Sequence, residues 1–334
     1  MKADSEAQVV EAVRAARASR TPLEIVAGGT RRSTGGRVAA PELLDVSGLR
    51  GIVNYEPEEL ILTVRPGTPL GEIESALAAK NQRLGFEPQD WCGMLGSTGE
   101  ATIGGAISCN ADGFARLRHG GARDHLLGFR GVNGFGEAFK AGGKVVKNVT
   151  GFDVPKLVCG AFGTLCVLTE LTFRVFPKPS RSVVLVRRDV APKEGFALLR
   201  KVWSSPLDAT ALVYAWGAAF VRLEGETDSL AEKRAALGGL VEAERIETRF
   251  APGALDIHRI DVKPSEAAEI AAGLDTPQWY GDWAGARIWS AGGKAMGRTL
   301  RGASLTPPGP LDRAVKAAFD PLSLFNPGRM FEGL

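Results

Sequence analysis

Histidine is scarce in this chain, with only His119, His125 and His258 among 334 residues, so an all-histidine metal site is hard to assemble. The four cysteines, Cys92, Cys109, Cys159 and Cys166, contain no C-x-x-C pair, which argues against a zinc ribbon or an iron–sulfur cluster. No metal is expected, and the thiols are expected to be reduced and packed. The sequence also lacks a basic block. Its 41 Lys+Arg against 38 Asp+Glu leave +3, which disfavours nucleic acid as a partner. It has no uninterrupted apolar run of the ~18 residues that a membrane span requires, so no direct membrane span is expected. The opening MKADSEAQVVEAVRAARASR reads as a charged amphipathic helix without a signal-peptide core, and the protein is expected in the cytoplasm. The glycosylation sequon Asn148-Val149-Thr150 carries no meaning without a secretion signal.

Glycine, by contrast, is abundant. The region 93–163 holds 17 of the 42 glycines, too many for a layer of packed helices, and predicts short strands and tight loops whose backbone does the binding. Around it the pattern is α/β. A helix over 5–18 is followed by the buried strand LEIVAGG, by LILTVRPG, and by a helix starting after Pro69 with Thr68 as its N-cap. FGTLCVLTELTFRVFP closes the region at Pro177 and Pro179. Beyond PKPSRS, strands and helices alternate in the order of a split β-α-β lobe of ferredoxin-like type, without a visible internal repeat. The proline-rich SLTPPGP then leads to a last helix and the tail DPLSLFNPGRMFEGL.

The loop VAGGTRRSTGG after the first strand lets several N–H groups converge on one anion, with Arg31 or Arg32 adding charge; an ordinary glycine turn is the open alternative. There is no G-x-x-x-x-G-K-[ST], and the only G-x-G, at Gly134 and Gly136, has Phe139 where a dinucleotide fingerprint needs glycine. A P-loop NTPase and a Rossmann NAD enzyme are thereby excluded.

That loop, VRPGTPLGEIESAL, GSTGEATIGGAISCNADGFARLRHGGARDHLLGFRGV, KNVTGFDVPKLVCGAFGTLCVLTELTFRVFP and FDPLSLFNPGRM together resemble the FAD-binding flavoproteins of vanillyl-alcohol oxidase type, also called PCMH-type. KNVTGFDV, WAGARIW and FNPGRM further resemble the FAD-binding subunits of bacterial glycolate oxidases, which are three-subunit glycolate dehydrogenases. The resemblance implies an α+β chain. A two-subdomain FAD-binding domain would span 1–178, a small cap 179–309, and a segment 310–334 would return to the FAD domain.

The resemblance also implies noncovalent FAD, because the first loop lacks the histidine that tethers flavin in some relatives. Ala27, Gly28, Gly29, Thr30, Arg31 and Gly35 would hold the pyrophosphate. Gly96, Ser97, Thr98, Gly99, Thr102, Gly104, Gly105 and Asn110 would form a second flavin-lining segment, where each missing side chain is room for the cofactor. Gly163, Thr164, Leu165 and Val167 would contact the adenine side, and Asn326 would come near the ring. Cys109 in the second segment reads as a packed thiol.

Oxidising glycolate to glyoxylate needs a base, an acceptor for a hydride equivalent and a cation for the carboxylate. Arg118, Arg123, Arg287 and Arg329 suit the carboxylate chemically. For the base, His119, Tyr280 and His258 are weak candidates: His119 also reads as a satisfied loop histidine, and His258 as a strand histidine beside Asp261. Tyr280, Asp282 and Trp283 suit a ring-lining face or an interface equally. No histidine-rich H-G-D-G-N-x-H motif occurs in 180–310. Three functions stay open. The chain is an FAD subunit that oxidises glycolate and passes electrons to an iron–sulfur partner, a non-catalytic flavin-carrying scaffold beside a catalytic flavoprotein partner, or a self-sufficient dehydrogenase of another small hydroxyacid such as D-lactate.

Overall fold

A computed structural model describes residues 1–143, 153–248, 250, 257–292, 298–299 and 307–332. Two compact units emerge. One comprises Met1–Asp112, Gly121–Pro177 and Arg301–Leu334; the other comprises Gly113–Gly120 and Lys178–Leu300. The sequence KNVTGFDV lies mostly outside the described residues, as do the sequon and the start of SLTPPGP.

In the first unit, helix α1 (Glu6–Ser19) begins where the Ser5 hydroxyl accepts from Gln8 N at 3.3 Å, a standard N-cap. Its buried Val9, Ala12, Val13 and Ala16 follow the helical repeat and pack with Leu23, Leu44, Val132, Val167, Leu324 and Phe325. Strands β1 (Leu23–Val26) and β2 (Glu42–Asp45) pair in parallel. The larger sheet is antiparallel. Its strands β3 (Ile52–Glu56), β4 (Ile61–Val64), β5 (Leu126–Asn133), β6 (Ala138–Gly142) and β7 (Cys166–Arg174) lie in the order β3-β4-β7-β5-β6. Between β4 and β5 come helices α2 (Leu70–Ala78) and α3 (Ile103–Ser108).

Two local expectations change here. Pro69, not Thr68, caps α2; the Thr68 hydroxyl instead donates to Arg65 O at 2.7 Å and accepts from Gly51 N at 2.9 Å, closing the turn before the helix. The glycine-rich stretch is also not all strand and loop. Besides α3 it forms the helical turns Cys92–Leu95, Arg116–His119, Ala122–His125 and Val154–Val158. Glycine there serves close approach: a Cβ on Gly104 would sit 2.7 Å from Pro66 Cβ, so only glycine lets α3 meet that turn.

The second unit carries a longer antiparallel sheet. Strand β8 (Arg181–Arg187), helix α4 (Pro192–Trp203), strands β9 (Ala211–Ala215) and β10 (Ala218–Gly225), helix α5 (Thr227–Ala236) and strand β11 (Val241–Ala243) form one βαββαβ motif. Strand β12 (Ile257–Asp261), helix α6 (Ala267–Ala272), β13 (Trp279–Asp282), β14 (Arg287–Ala291) and β15 (Arg298–Thr299) follow. The sheet order is β11-β8-β10-β9-β13-β14-β12-β15. Its first half is the 4-1-3-2 order of a ferredoxin-like lobe. The second half repeats that order in reverse, 2-3-1-4, joined through Tyr214 opposite Gly281 and Ala215 opposite Tyr280. The lobe is thus a ferredoxin-like half followed by a second set of strands in the mirrored order, with α6 as the helix described in that set. The repeat is one of strand pairing, not residue identity, which is why the sequence hides it.

A last helix, α7 (Pro310–Phe319), returns to the first unit. Residues 113–120, within the stretch expected in the first domain, group instead with the second. There the Trp283 indole donates to Gly113 O at 3.2 Å, the Arg116 guanidinium lies 5.2 Å over the Trp283 ring, and Arg118 pairs with Asp208 at 3.1 Å.

Candidate functional site

The first unit contains a cleft of about 750 Å³, counting its solvent-open part, built where three backbone turns converge. Strand β1 runs into its floor as Ile25, Val26, Ala27 and Gly28, and Gly29 turns the chain with a φ of +72°, a left-handed conformation that glycine adopts freely. Arg32 N then donates to Gly29 O at 3.1 Å and Thr34 N to Arg31 O at 3.0 Å, which curls the loop over the cleft. Thr102, Gly104, Gly105, Ser108 and Cys109 of α3 and its flanks form the second wall, and Phe162 and Gly163 the third.

Asn326 fastens these walls together. Its Oδ1 accepts from Ile25 N at 2.8 Å while its Nδ2 donates to Phe162 O at 2.8 Å, so one buried side chain ties β1 to the 162–163 turn. Asn326 lies at a φ of +44°, which asparagine tolerates better than most residues. Arg329, one turn later, donates to Arg32 O and, at 2.9 Å, to Thr34 O, and reaches Glu24 Oε1 at 3.1 Å. Its Nη1 thus holds the first loop and its Nη2 is taken by Glu24 of β1, leaving it poorly placed to take a substrate carboxylate.

Arg31 differs. It is only 6% exposed and its Nη2 donates to Gln89 O, but Nε and Nη1 have no partner among the described residues. The guanidinium lies 4.2 Å over the Trp91 ring, which fixes its plane. Burial pushes its pKa down, opposed by attraction to Cys109, Asp90 and Cys92. A buried, incompletely paired cation on a residue that lines the cleft gives this region the charge an anionic group would need.

The cleft gathers Ala27, Gly28, Gly29, Thr30, Arg31, Thr102, Gly104, Gly105, Gly163 and Asn326 from the residues expected on sequence. It also holds Arg32, Thr34, Val46, Pro66, Ser108, Phe162, Cys166 and Leu168. Of these, Arg32 is the alternative cation read in the quoted loop, while Thr34 in that loop and Pro66 in VRPG had proximity in sequence as their only signal. Gly35 faces a neighbouring depression lined by Arg32, Arg37 and Arg329. Gly96, Ser97, Thr98, Gly99 and Asn110 are not in the cleft wall; Ser97 Oγ donates to Thr30 O at 2.7 Å and thereby supports the first loop from behind. Thr164 and Leu165 line a separate cleft beside α7 together with Arg123, and Val167 is packed in the α1 core.

The glycines also divide by role. A Cβ on Gly28 would lie 2.0 Å from Glu100 O, and one on Gly99 2.9 Å from Gly28 O, so these two let one backbone seat on another. Gly105 meets only Thr102 Oγ1 at 3.4 Å and Arg31 Cδ at 3.8 Å, and its bareness opens the cleft itself.

The remaining catalytic candidates belong to the second unit. His119 Nε2 lies 4.0 Å from Glu224 Oε2. His258 is buried on β12 opposite Ser290. Tyr280 is buried between Phe250 and Trp289, at ring distances of 5.4 and 6.4 Å, and burial, then Asp282, pushes its phenol well above the usual tyrosine range. That environment opposes ionisation, so Tyr280 makes a poor general base at neutral pH. Arg287 is also buried: its Nε donates to Asp261 Oδ1 at 2.7 Å and its guanidinium stacks 3.8 Å over Trp283. Asp282 accepts from Trp283 N at 2.7 Å. Among the described residues no cluster of three or more metal-ligating side chains occurs, and no helix is long and apolar enough to cross a membrane.

Residues 1–142 match the FAD-binding domain family model. Along its length the chain is 34% identical to the glycolate oxidase subunit GlcE of Escherichia coli strain K12, covering 99% of both chains. It is 33% identical to the glycolate oxidase subunit GlcD of Bacillus subtilis strain 168 over 48% of this chain and 31% of that one. A D-2-hydroxyglutarate dehydrogenase of Xanthomonas citri pv. viticola is 32% identical over 48% of this chain and 33% of its own. A solved structure of alkyldihydroxyacetonephosphate synthase shares the fold, with a TM-score of 0.67 over 98% of this chain and 75% of that one, at 14% identity. The cofactor is FAD, and the cleft suits it: Arg31 offers two buried, unpartnered donors to a phosphate, and the open wall at Gly105 leaves the backbone within reach.

Proposed function

The chain belongs to the FAD-binding flavoproteins of PCMH, or vanillyl-alcohol oxidase, type, and on that premise we propose that it is the FAD-binding subunit of a glycolate-oxidising complex. In this reading glycolate is oxidised to glyoxylate, and the electrons leave through a partner subunit carrying an iron–sulfur cluster. The observation that carries it is the end-to-end correspondence with GlcE, which runs through both units, whereas the hydroxyacid dehydrogenase and GlcD match about half of this chain.

When bound, flavin supplies the two-electron acceptor for CH–OH oxidation. The chain's own residues supply binding and order. Arg31 would neutralise phosphate, Arg329 holds the loop that presents it, Ser97 braces that loop, and Asn326 ties β1 to the 162–163 turn. Arg287 is held by Asp261 and Trp283, which occupies it within the second unit.

A second reading, a flavin-carrying scaffold for a catalytic flavoprotein partner, draws support from Tyr280, whose burial disqualifies the one tyrosine candidate base. Anaerobic titration of the purified, FAD-loaded chain separates the two. Bleaching of the flavin by glycolate in the isolated chain supports catalysis here. Bleaching only after a catalytic partner is added supports the scaffold, and bleaching by D-lactate but not glycolate would overturn the glycolate assignment.

A further inference from the structure

Of the residues of α7 only Lys316 is buried, so a cation rather than an apolar stripe anchors this helix in the first unit. Its ammonium aims each of its three donors at an oxygen. Lys316 Nζ donates to Thr164 O at 2.7 Å, to Asp320 Oδ2 at 2.8 Å and to Phe325 O at 3.3 Å. Asp320, also buried, holds the turn that follows: Oδ1 accepts from Leu324 N at 3.0 Å and Oδ2 from Phe325 N at 2.8 Å. Gly134 makes room for this carboxylate. A Cβ there would lie 2.5 Å from Asp320 Oδ1, and Gly134 N donates to Phe319 O at 2.8 Å. The G-x-G that fails as a dinucleotide fingerprint is thus, at its first glycine, a seat for Asp320.

These contacts converge on the flavin cleft. Phe325, gripped at both its N–H and its carbonyl, leads directly into Asn326, whose side chain bonds Ile25 N and Phe162 O, each at 2.8 Å. Lys316 reaches the same third wall by a second route, because Thr164 follows the wall residue Gly163. Two cross-links therefore join the tail to this wall, one through a neutral amide and one through an ion pair. Burying two charges costs much of what their attraction returns, so the pair is weak evidence for stability; the geometry it fixes is the stronger clue. We propose that Lys316 and Asp320 are positioning residues for FAD: the pair sets the spacing of the β1 and 162–163 walls, holding Thr164 O directly and Asn326 through the Phe325 turn. The inference rests on the assignment of FAD to this cleft. Neither residue belongs to the cleft wall, so their effect on the cofactor passes through Asn326 and the 162–164 turn.

The test uses the full chain stripped of flavin, with its fold checked by circular dichroism, its stability by chemical denaturation and FAD binding by flavin fluorescence. Lys316→Met is expected to bind FAD about tenfold more weakly, the worth of one charge-assisted contact. Leu77→Ala, which leaves a cavity at the buried face of α2, is the control for lost stability and is expected to keep full FAD affinity. Lys316→Met combined with Asn326→Ala is expected to lose clearly less affinity than the product of the two single losses, because both act on one turn. Hydrogen exchange in the unaltered chain needs no variant to fold. The Leu324 and Phe325 amides are expected to exchange more slowly with FAD bound, and to be slowed more than those of α2, since a ligand that binds the closed arrangement holds it closed. Full FAD affinity in folded Lys316→Met, an equal loss in Leu77→Ala, losses that multiply in the combined variant, or exchange at Leu324 and Phe325 unmoved by saturating FAD would each overturn the proposal alone. Failure of the unaltered, folded chain to take up FAD would overturn the cofactor assignment and the proposal with it.

Discussion

Arg287 of the second unit and Arg31 of the first are buried in contrasting ways. In the second, Arg287 enters the interior already satisfied, with a carboxylate on its Nε and an indole under its plane. In the first, Arg31 is buried to a similar degree with two nitrogens idle. A folded chain tolerates an unpaired buried donor only at a cost of about 1–3 kcal/mol, so the idle pair marks a place where a ligand completes the structure. The satisfied arginine marks architecture first, whatever else it recognises. Glycine shows the same division. Some glycines in the first unit seat backbone on backbone, while Gly105 opens space.

The largest test of this contrast is Gly28→Ala. The added methyl would meet Glu100 O at 2.0 Å, so the two loops must part; a loss of about 3 kcal/mol in unfolding free energy, the upper range for overpacking, is expected together with loss of bound flavin. Chemical denaturation and flavin content check it. Arg31→Met should split the two readouts. FAD affinity is expected to fall by about 2 kcal/mol, roughly 30-fold, while the melting temperature of the flavin-free chain holds or rises, because an unpaired buried cation is gone. A fall in both would make Arg31 a structural residue like its counterpart.

Arg287→Met is the mirror experiment. It removes a stacked cation and its bond to a half-exposed Asp261, and is expected to cost about 1–2 kcal/mol of stability with FAD affinity unmoved. Equilibrium unfolding and flavin titration read the two quantities separately. The smallest effect concerns Glu24, whose carboxyl is held below the usual carboxylate range chiefly by hydrogen bonding from Arg32, against burial, with Arg329 adding attraction. Because its folded pKa is depressed, its contribution is present at neutral pH and is lost as pH falls below the ordinary carboxylate range. Arg32 is about half exposed, so the contribution is less than about 1 kcal/mol. Unfolding measured across acidic pH should show a shallower decline for Glu24→Gln than for the unaltered chain.

The flavin half of the molecule was readable because backbone chemistry leaves composition behind. Glycines cluster where two chains touch or a cofactor approaches, and VAGGTRRSTGG and ATIGGAISCNADG both reach the cleft. What those stretches withheld was which bare positions face the cleft: Gly28 and Gly105 look alike in one dimension and differ only in the atoms across from them. Asn326 was legible as a residue returning to the flavin domain, yet its two-sided tie between Ile25 and Phe162 depends on chain segments some 300 and 160 residues away. The paired halves of the second unit were not legible at all, since strand order is set by hydrogen bonding between segments rather than by any residue type.

By itself, then, the order of amino acids determined the α1 core stripe, the glycine loops, and the family to which these loops belong. Those are local properties: helical spacing, conformational freedom and side-chain chemistry are written residue by residue. Tertiary structure alone decided that Arg31 is left with idle donors, that Arg329 and Arg287 are occupied, that Tyr280 is too buried to ionise readily, and that Cys109 shares a cleft with Arg31. Each of these depends on what desolvates or pairs with a group across long separations in the chain, and desolvation and pairing exist only once the chain has folded.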